Sequence, residues 1–129
     1  MTQERREIAL AWLRKAESDF AYARLGLEAD HSYGAGTVFH CHQTAEKGLK
    51  AVLSFHGIMP PKTHDLLRLL ELVSPHLEHH PLIEAAVFLT PLATDFRYPG
   101  DTDLPSEEDV RVAFEFAAKF LEMARETIK

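Results

Sequence analysis

The stretch FHCHQTAEKGLK, Phe39 to Lys50, carries the small and apolar residues of a helix and sets among them a Gln, a Glu and two Lys: Gln43, Glu46, Lys47 and Lys50. A Gln offers a donor and an acceptor, a Glu a carboxylate, and each Lys an ammonium that can meet a carboxylate or a phosphate. With Phe39 at zero and a step of about 100° per residue, Val38, Ala45, Leu49 and Leu53 gather between about −40° and −120°. Gln43, Glu46 and Lys50 fall between about −20° and +40°, so they border the core face, while Lys47, near about 80°, points toward solvent. Glu46 and Lys50 have the spacing of a helix-surface ion pair, which contributes only a few tenths of a kcal/mol. A solvated helix edge is therefore one reading of the stripe, a binding site another, and a set of buried hydrogen bonds that only holds the bundle together a third.

The site reading draws on groups further along. Lys62, His64 and Asp65 follow the double proline Pro60–Pro61 at the start of a helix, and Arg97 and Tyr98 stand where another helix stops before Pro99. A helical bundle can bring such end-of-helix groups to the edge of a facing helix. His64 either is oriented by a carboxylate or a backbone carbonyl, or faces a ligand. The other histidines give no metal site: His40 and His42 are two apart and point to nearly opposite sides of a helix, and His76, His79 and His80, with Glu78 among them, lack a placed fourth ligand. His42 falls on the core side as a satisfied, partly buried histidine. Cys41 suits a small buried residue, and neither a Gly-rich phosphate loop nor GxSxG is present, so no metal and no cofactor is expected.

Helices must position these groups. From Thr2 to about Asp30, Ile8, Ala9, Trp12, Leu13, Ala16, Phe20, Ala23 and Leu27 form one apolar stripe. HSYGAG, with two glycines, ends that helix, and a second runs from about Thr37 to His56 and stops at Gly57. Thr63 is expected to cap a short third helix, His64 to Val73, with Asp65 in its positive first turn. Pro75 and Pro81 bracket a loop. LIEAAVFLTPLATDFRY then reads as a fourth helix that Pro91 kinks or breaks in two. RYPGDTDLP, Arg97 to Pro105, is a loop by composition. Ser106 caps the last helix, with Glu107, Glu108 and Asp109 in its first turn and Val110, Ala113, Phe114, Ala117, Leu121, Ala124 and Ile128 as its buried stripe. Phe116, Phe120 and Met123 lie on a second flank, either a wider core or a homodimer seam.

No strand pattern competes, so the expectation is an all-α fold: an antiparallel up-and-down four-helix bundle with a short extra helix. A length of 129 residues fits a single domain over 1–129, and 46% hydrophobic with 26% charged residues excludes a disordered chain. The net charge of −6 argues against a generally basic nucleic-acid coat. Arg5, Arg6, Arg14 and Lys15 read as a solvated face or as part of the footprint of an anionic partner. One cysteine allows no internal disulfide, and MTQERREIAL is charged where a signal peptide is apolar, so a cytoplasmic protein is expected. The longest uncharged run, Ala85 to Thr94, contains Pro91 and falls far short of the roughly 20 residues of a membrane span, so no membrane is expected.

The strings FHCHQTAEKGLKAVL, KTHDLLRLL and DFRYP, in this order in an all-helical chain, resemble the HEPN domain family of small helical bundles. The resemblance covers nearly the whole chain, and its most specific parts are the Gln-Thr-Ala-Glu-Lys and Lys-Thr-His-Asp-Leu blocks. It implies a bundle that often dimerises, that in prokaryotes is often encoded beside a minimal nucleotidyltransferase, and that has ribonuclease and nucleotide-binding members. Catalytic HEPN ribonucleases use an Arg followed within a few residues by a His, the His to move protons and the Arg to clamp phosphate. Here Arg97 is followed by Tyr98, Pro99, Gly100, Asp101, Thr102 and Asp103, and no histidine lies C-terminal to His80. The resemblance thus implies a homodimeric, non-catalytic module binding a nucleotide, an RNA or a nucleotidyltransferase through Gln43, Glu46, Lys47, Lys50, Lys62, His64, Asp65, Arg97 and Tyr98. The alternative is a toxin-like, metal-independent ribonuclease of a toxin–antitoxin pair with a non-standard site.

Overall fold

Three long helices and two short ones make up the structure, a computed structural model that describes residues 2–74, 77–95 and 104–129. Helix α1, Gln3–Glu28, starts where the Thr2 hydroxyl accepts from the Arg5 amide. Helix α2, Gly34–Phe55, follows a single 3-10 turn at His31–Tyr33. The glycines of HSYGAG therefore lie inside α2 and do not break the chain, contrary to the expectation from sequence. Gly34 is there for packing: a Cβ would press on the side chains of Pro105 and Val110 at 3.3 and 3.4 Å.

Asp65, not Thr63, caps α3, Leu66–Val73. Its carboxylate accepts from the Leu67 and Arg68 amides, while the Thr63 hydroxyl accepts from the Asp65 amide and so braces the cap from outside. Pro91 breaks the fourth helical segment rather than kinking it. Helix α4, Ile83–Leu89, ends there, and a 3-10 turn, Thr90–Ala93, takes over, because proline fits the first turn of a helix but not its interior. Ser106 begins α5, Glu107–Thr127, by accepting from the Asp109 amide, with three acidic residues against the positive helix end.

The contacts fix the topology. Asp19 meets His40 and Lys47, Gly26 abuts Thr37 and Arg5 lies against Gly57, so α1 and α2 run antiparallel. Arg125 bonds Glu17 and Arg6 bonds the Ile128 carbonyl, so α5 is antiparallel to α1 and parallel to α2. The short helices α3 and α4 pack on one another, α3 against α2 and α4 against α5, and supply the fourth leg of the bundle. The fold is all-helical, and no strand occurs among the described residues.

Helix α2 is central, and most of its residues are buried. Val38, Cys41, Ala45, Leu49 and Leu53 pack with Leu66, Leu69, Leu70, Leu82, Leu89 and Phe120, while Ala51 and Val52 pack with Ala9, Leu13, Ala16 and Leu121 on the other side. Alanines on α1 and α5 let the long helices approach closely. Ile8, expected in the α1 stripe, is exposed. Phe120 is wholly enclosed, which settles that position of the second α5 flank as core within one chain; Phe116 packs edge-on against Phe88.

Gly57 ends α2 in the left-handed region, φ 79°, the expected backbone for a residue just past a helix. Gly57→Ala should cost about 1–2 kcal/mol, because a Cβ makes that backbone unfavourable, and should appear as a melting temperature lowered by several degrees in a circular dichroism melt.

Candidate functional site

The helical wheel places Glu46 on the border of the core, but the folded chain buries it: only 4% of the residue is exposed, and Lys50 is buried beside it. Glu46 Oε2 accepts from Lys50 Nζ at 2.9 Å, and Oε1 accepts from His64 Nδ1 at 2.7 Å. Because a carboxylate only accepts, Nδ1 of His64 carries a proton, so that in the neutral ring Nε2 is the bare nitrogen, on a side chain that is 75% exposed. The Lys50 ammonium also stands 5.5 Å from the centre of the Trp12 ring, whose electron-rich face adds to the holding of the cation. Trp12 is therefore a wall of the polar site as well as a core residue.

His42, fully buried one turn before Glu46, fastens this network to the α3 start. Its Nε2 donates to the His64 backbone carbonyl at 2.8 Å, so its Nδ1 is bare, faces Glu46 Oε1 at 3.9 Å and has no hydrogen-bond partner. Burial pushes this imidazole below its ordinary value, against the opposing pull of the His64 carbonyl and of Glu46. An unfolded chain takes up a proton on that histidine near pH 6.5, whereas the folded chain resists until lower pH. Stability therefore rises with pH across that window and is lost on acidification through it; burial of His80 acts in the same direction. The melting temperature should fall between pH 7 and pH 5, and His42→Gln, which keeps a donor for the His64 carbonyl, should shrink the fall.

Lys47 does not face solvent as the wheel suggests. Its ammonium donates to Asp19 Oδ2 at 2.6 Å, and His40 Nδ1 donates to Asp19 Oδ1 at 2.8 Å. The His40 ring stacks on exposed Tyr22, 5.2 Å between centres. The central position of α2 explains the miss, since a flank that would be outside in a peripheral helix is here covered by α1. Asp19 is absent from the residues singled out by sequence. Its signal was available: a carboxylate one position before Phe20 and three after Ala16, both on the apolar stripe of α1.

Of the residues expected to converge, Gln43, Glu46, Lys50 and His64 do so, and Lys47 joins the adjoining Asp19 network. Gln43 and His64, with Phe39, Ala93 and Thr94, line a cavity of about 100 Å³. Asp65 is occupied in capping α3, and Lys62 is exposed at the rim of the same turn. Arg97 and Tyr98 lie outside the described residues, as does His76. No group of three or more His, Cys, Asp or Glu able to hold a metal occurs among the described residues, and no described helix is long and apolar enough to cross a membrane.

The profile of the HEPN domain family matches residues 9–127. The chain belongs to the HEPN domain family. Solved structures agree in fold over almost the full length. The crystal structure of TT1696 from Thermus thermophilus is 25% identical, with a TM-score of 0.78 over 92% of this chain and 97% of that one. The crystal structure of ST0689, described as an archaeal HEPN homologue, is 27% identical, with a TM-score of 0.72 over 94% of this chain and 98% of that one. No curated protein gives a significant match. The motif blocks fall into place in this HEPN chain: the Gln-Thr-Ala-Glu-Lys block supplies the carboxylate and the Lys-Thr-His-Asp-Leu block the imidazole that it holds.

Proposed function

We propose that this HEPN protein is a non-catalytic binding module whose α2 and α3 edge, centred on Gln43 and His64 with Lys62 at its rim, docks a protein partner. The companion expected from the family is a minimal nucleotidyltransferase. The observation that carries this reading is the way the cations are used. Lys47 and Lys50 are already bonded to Asp19 and Glu46, and the cavity beside Gln43 and His64, about 100 Å³, is well below the roughly 300 Å³ at which small-molecule pockets begin. Enclosed nucleotide binding is thus the less favoured form of the proposal. A shallow surface with an exposed, oriented imidazole and an amide suits a protein face, where such groups set register and specificity.

The test is co-purification of the tagged chain with a minimal nucleotidyltransferase from its own genome, repeated with His64→Ala, Gln43→Ala and Lys62→Glu. Retention should fall for His64→Ala and Gln43→Ala, and ATP should show no calorimetric binding below the millimolar range. Retention unchanged across all three variants, or tight ATP binding lost in His64→Ala, overturns the docking reading.

One observation favours a second reading, the metal-independent ribonuclease. A buried carboxylate fixes the His64 ring and leaves Nε2 open, as a general base requires. RNA incubated with the protein and a chelator would then be cleaved by the native chain and spared by His64→Ala. Intact RNA with both disposes of it.

A further inference from the structure

A second cavity, of about 360 Å³, lies at the opposite end of α2 between its last turn and the start of α1, lined by Arg5, Ile8, Ser54, Gly57, Ile58, Met59 and Pro60. Its volume is within the range of small-molecule sites. Two polar atoms among its lining residues are buried without a hydrogen-bond partner, Ser54 Oγ and Arg5 Nε. Native proteins leave few such groups, and each calls for an explanation.

Ser54 differs from four threonines in the helical segments of this fold. Thr37, Thr44, Thr90 and Thr127 each donate to the carbonyl four residues earlier. The Ser54 hydroxyl, on a residue only 6% exposed, makes no such bond. Arg5 is equally uncommitted: its side chain makes no hydrogen bond or ion pair among the described residues, whereas Arg6 next to it bonds the Ile128 carbonyl. Nor is Arg5 needed to cap α2, because the amides of His56, Gly57 and Ile58 already bond the Val52, Leu53 and Ser54 carbonyls. The guanidinium stands at the end of α2. It lies over Gly57, where any Cβ would overlap it. Around these donors the wall is apolar, with Ile8, Ile58 and Met59 exposed, Met59 to 90%.

We propose that this cavity binds the carboxylate of a small amphiphile, the anion against Arg5 and Ser54 and the apolar body on Ile8, Ile58 and Met59. Free aliphatic carboxylic acids and the apolar C-terminal residue of a peptide share this chemistry. A carboxylate would give the guanidinium a charge-assisted bond that no described residue supplies, and the hydroxyl an acceptor. Three large apolar side chains left in water at one place would be covered by the same ligand.

The test is a titration of the full chain, followed by amide chemical shifts, with sodium octanoate, octanol and octylammonium, and with an acetylated peptide ending in leucine as free acid or amide. Octanoate or the acid peptide should saturate, with shifts centred on Arg5, Ser54 and Gly57; octanol, octylammonium and the amide peptide should bind at least about tenfold more weakly, as expected for loss of a bond to a charged group. The tighter of the two acids identifies the source. Arg5→Gln should lose about tenfold in affinity and Ser54→Ala several-fold. Met59→Ser, at an exposed position that folding does not need, should also lose several-fold. No saturable binding of either acid, equal binding of octanol and octanoate, or octanoate affinity unchanged in Arg5→Gln and Met59→Ser overturns the proposal.

Discussion

Glu46→Ala is expected to lower stability by about 3 kcal/mol, the cost of removing one partner from a buried ion pair, and to bring the melting temperature down by roughly 10 °C for a chain of this size. The loss arises from what stays behind. Lys50 would be buried with only the Trp12 face for company, and the His64 ring would lose the carboxylate that holds it. A combined Glu46→Leu and Lys50→Met variant, which removes both charges and fills the space, should recover much of the loss, since buried pairs can be replaced by apolar groups at little net cost. A double-mutant cycle by chemical denaturation checks both statements. If Glu46→Ala melts within a degree or two of the native protein, the carboxylate is hydrated in solution and the buried network is wrong.

Phe120→Ala should be at least as damaging, about 3–5 kcal/mol, the usual range for deleting a fully enclosed aromatic ring. Phe120 lies in the larger core cluster, and its backbone carbonyl is 3.4 Å from where a Cβ on Gly48 would stand. The closeness of α2 and α5 at that point leaves little room for collapse into the cavity. Urea denaturation at two protein concentrations tests whether the loss stays in the core of one chain, where Phe120 lies, or reaches through its flank neighbours Phe116 and Met123 to a second copy. A concentration-independent loss places the whole effect in the core of one chain, and a loss that grows on dilution adds a seam between copies.

The parts of this architecture that the sequence made legible are those set by local rules. The Ser106 cap, the stop at Gly57, the break at Pro91, one of the two outcomes expected there, and the apolar stripe of α5, apart from half-buried Phe114, depend on a few neighbouring residues and are found in the fold. Non-local packing decided the rest. Gly34 and Gly36 look like breakers until Pro105 and Val110 come to lie against the first of them. Thr63 is the cap expected from sequence, with Asp65 inside the first turn; α3 starts two residues later than expected, at Leu66, and Asp65 takes the cap. The candidate site shows the same division. A helical wheel brings Gln43, Glu46 and Lys50 together, but it measures angle against one face, and α2 has neighbours on nearly every side. That is why Glu46 and Lys50 are buried rather than marginal and why Lys47 meets Asp19 instead of water. The likeness of the KTHDL block to family members pointed at His64; its bond to Glu46 required the fold.

The enclosure of Cys41 gives the molecule a built-in reporter of its own opening. The thiol is fully buried, and burial pushes it up to about 12, so at neutral pH almost none is the reactive thiolate. A thiol-specific reagent can then modify the chain only while α2 is exposed. Labelling rates at this one sulfur would time the fluctuations of the central helix, and comparing native protein with Glu46→Ala would show whether the polar network latches that helix shut.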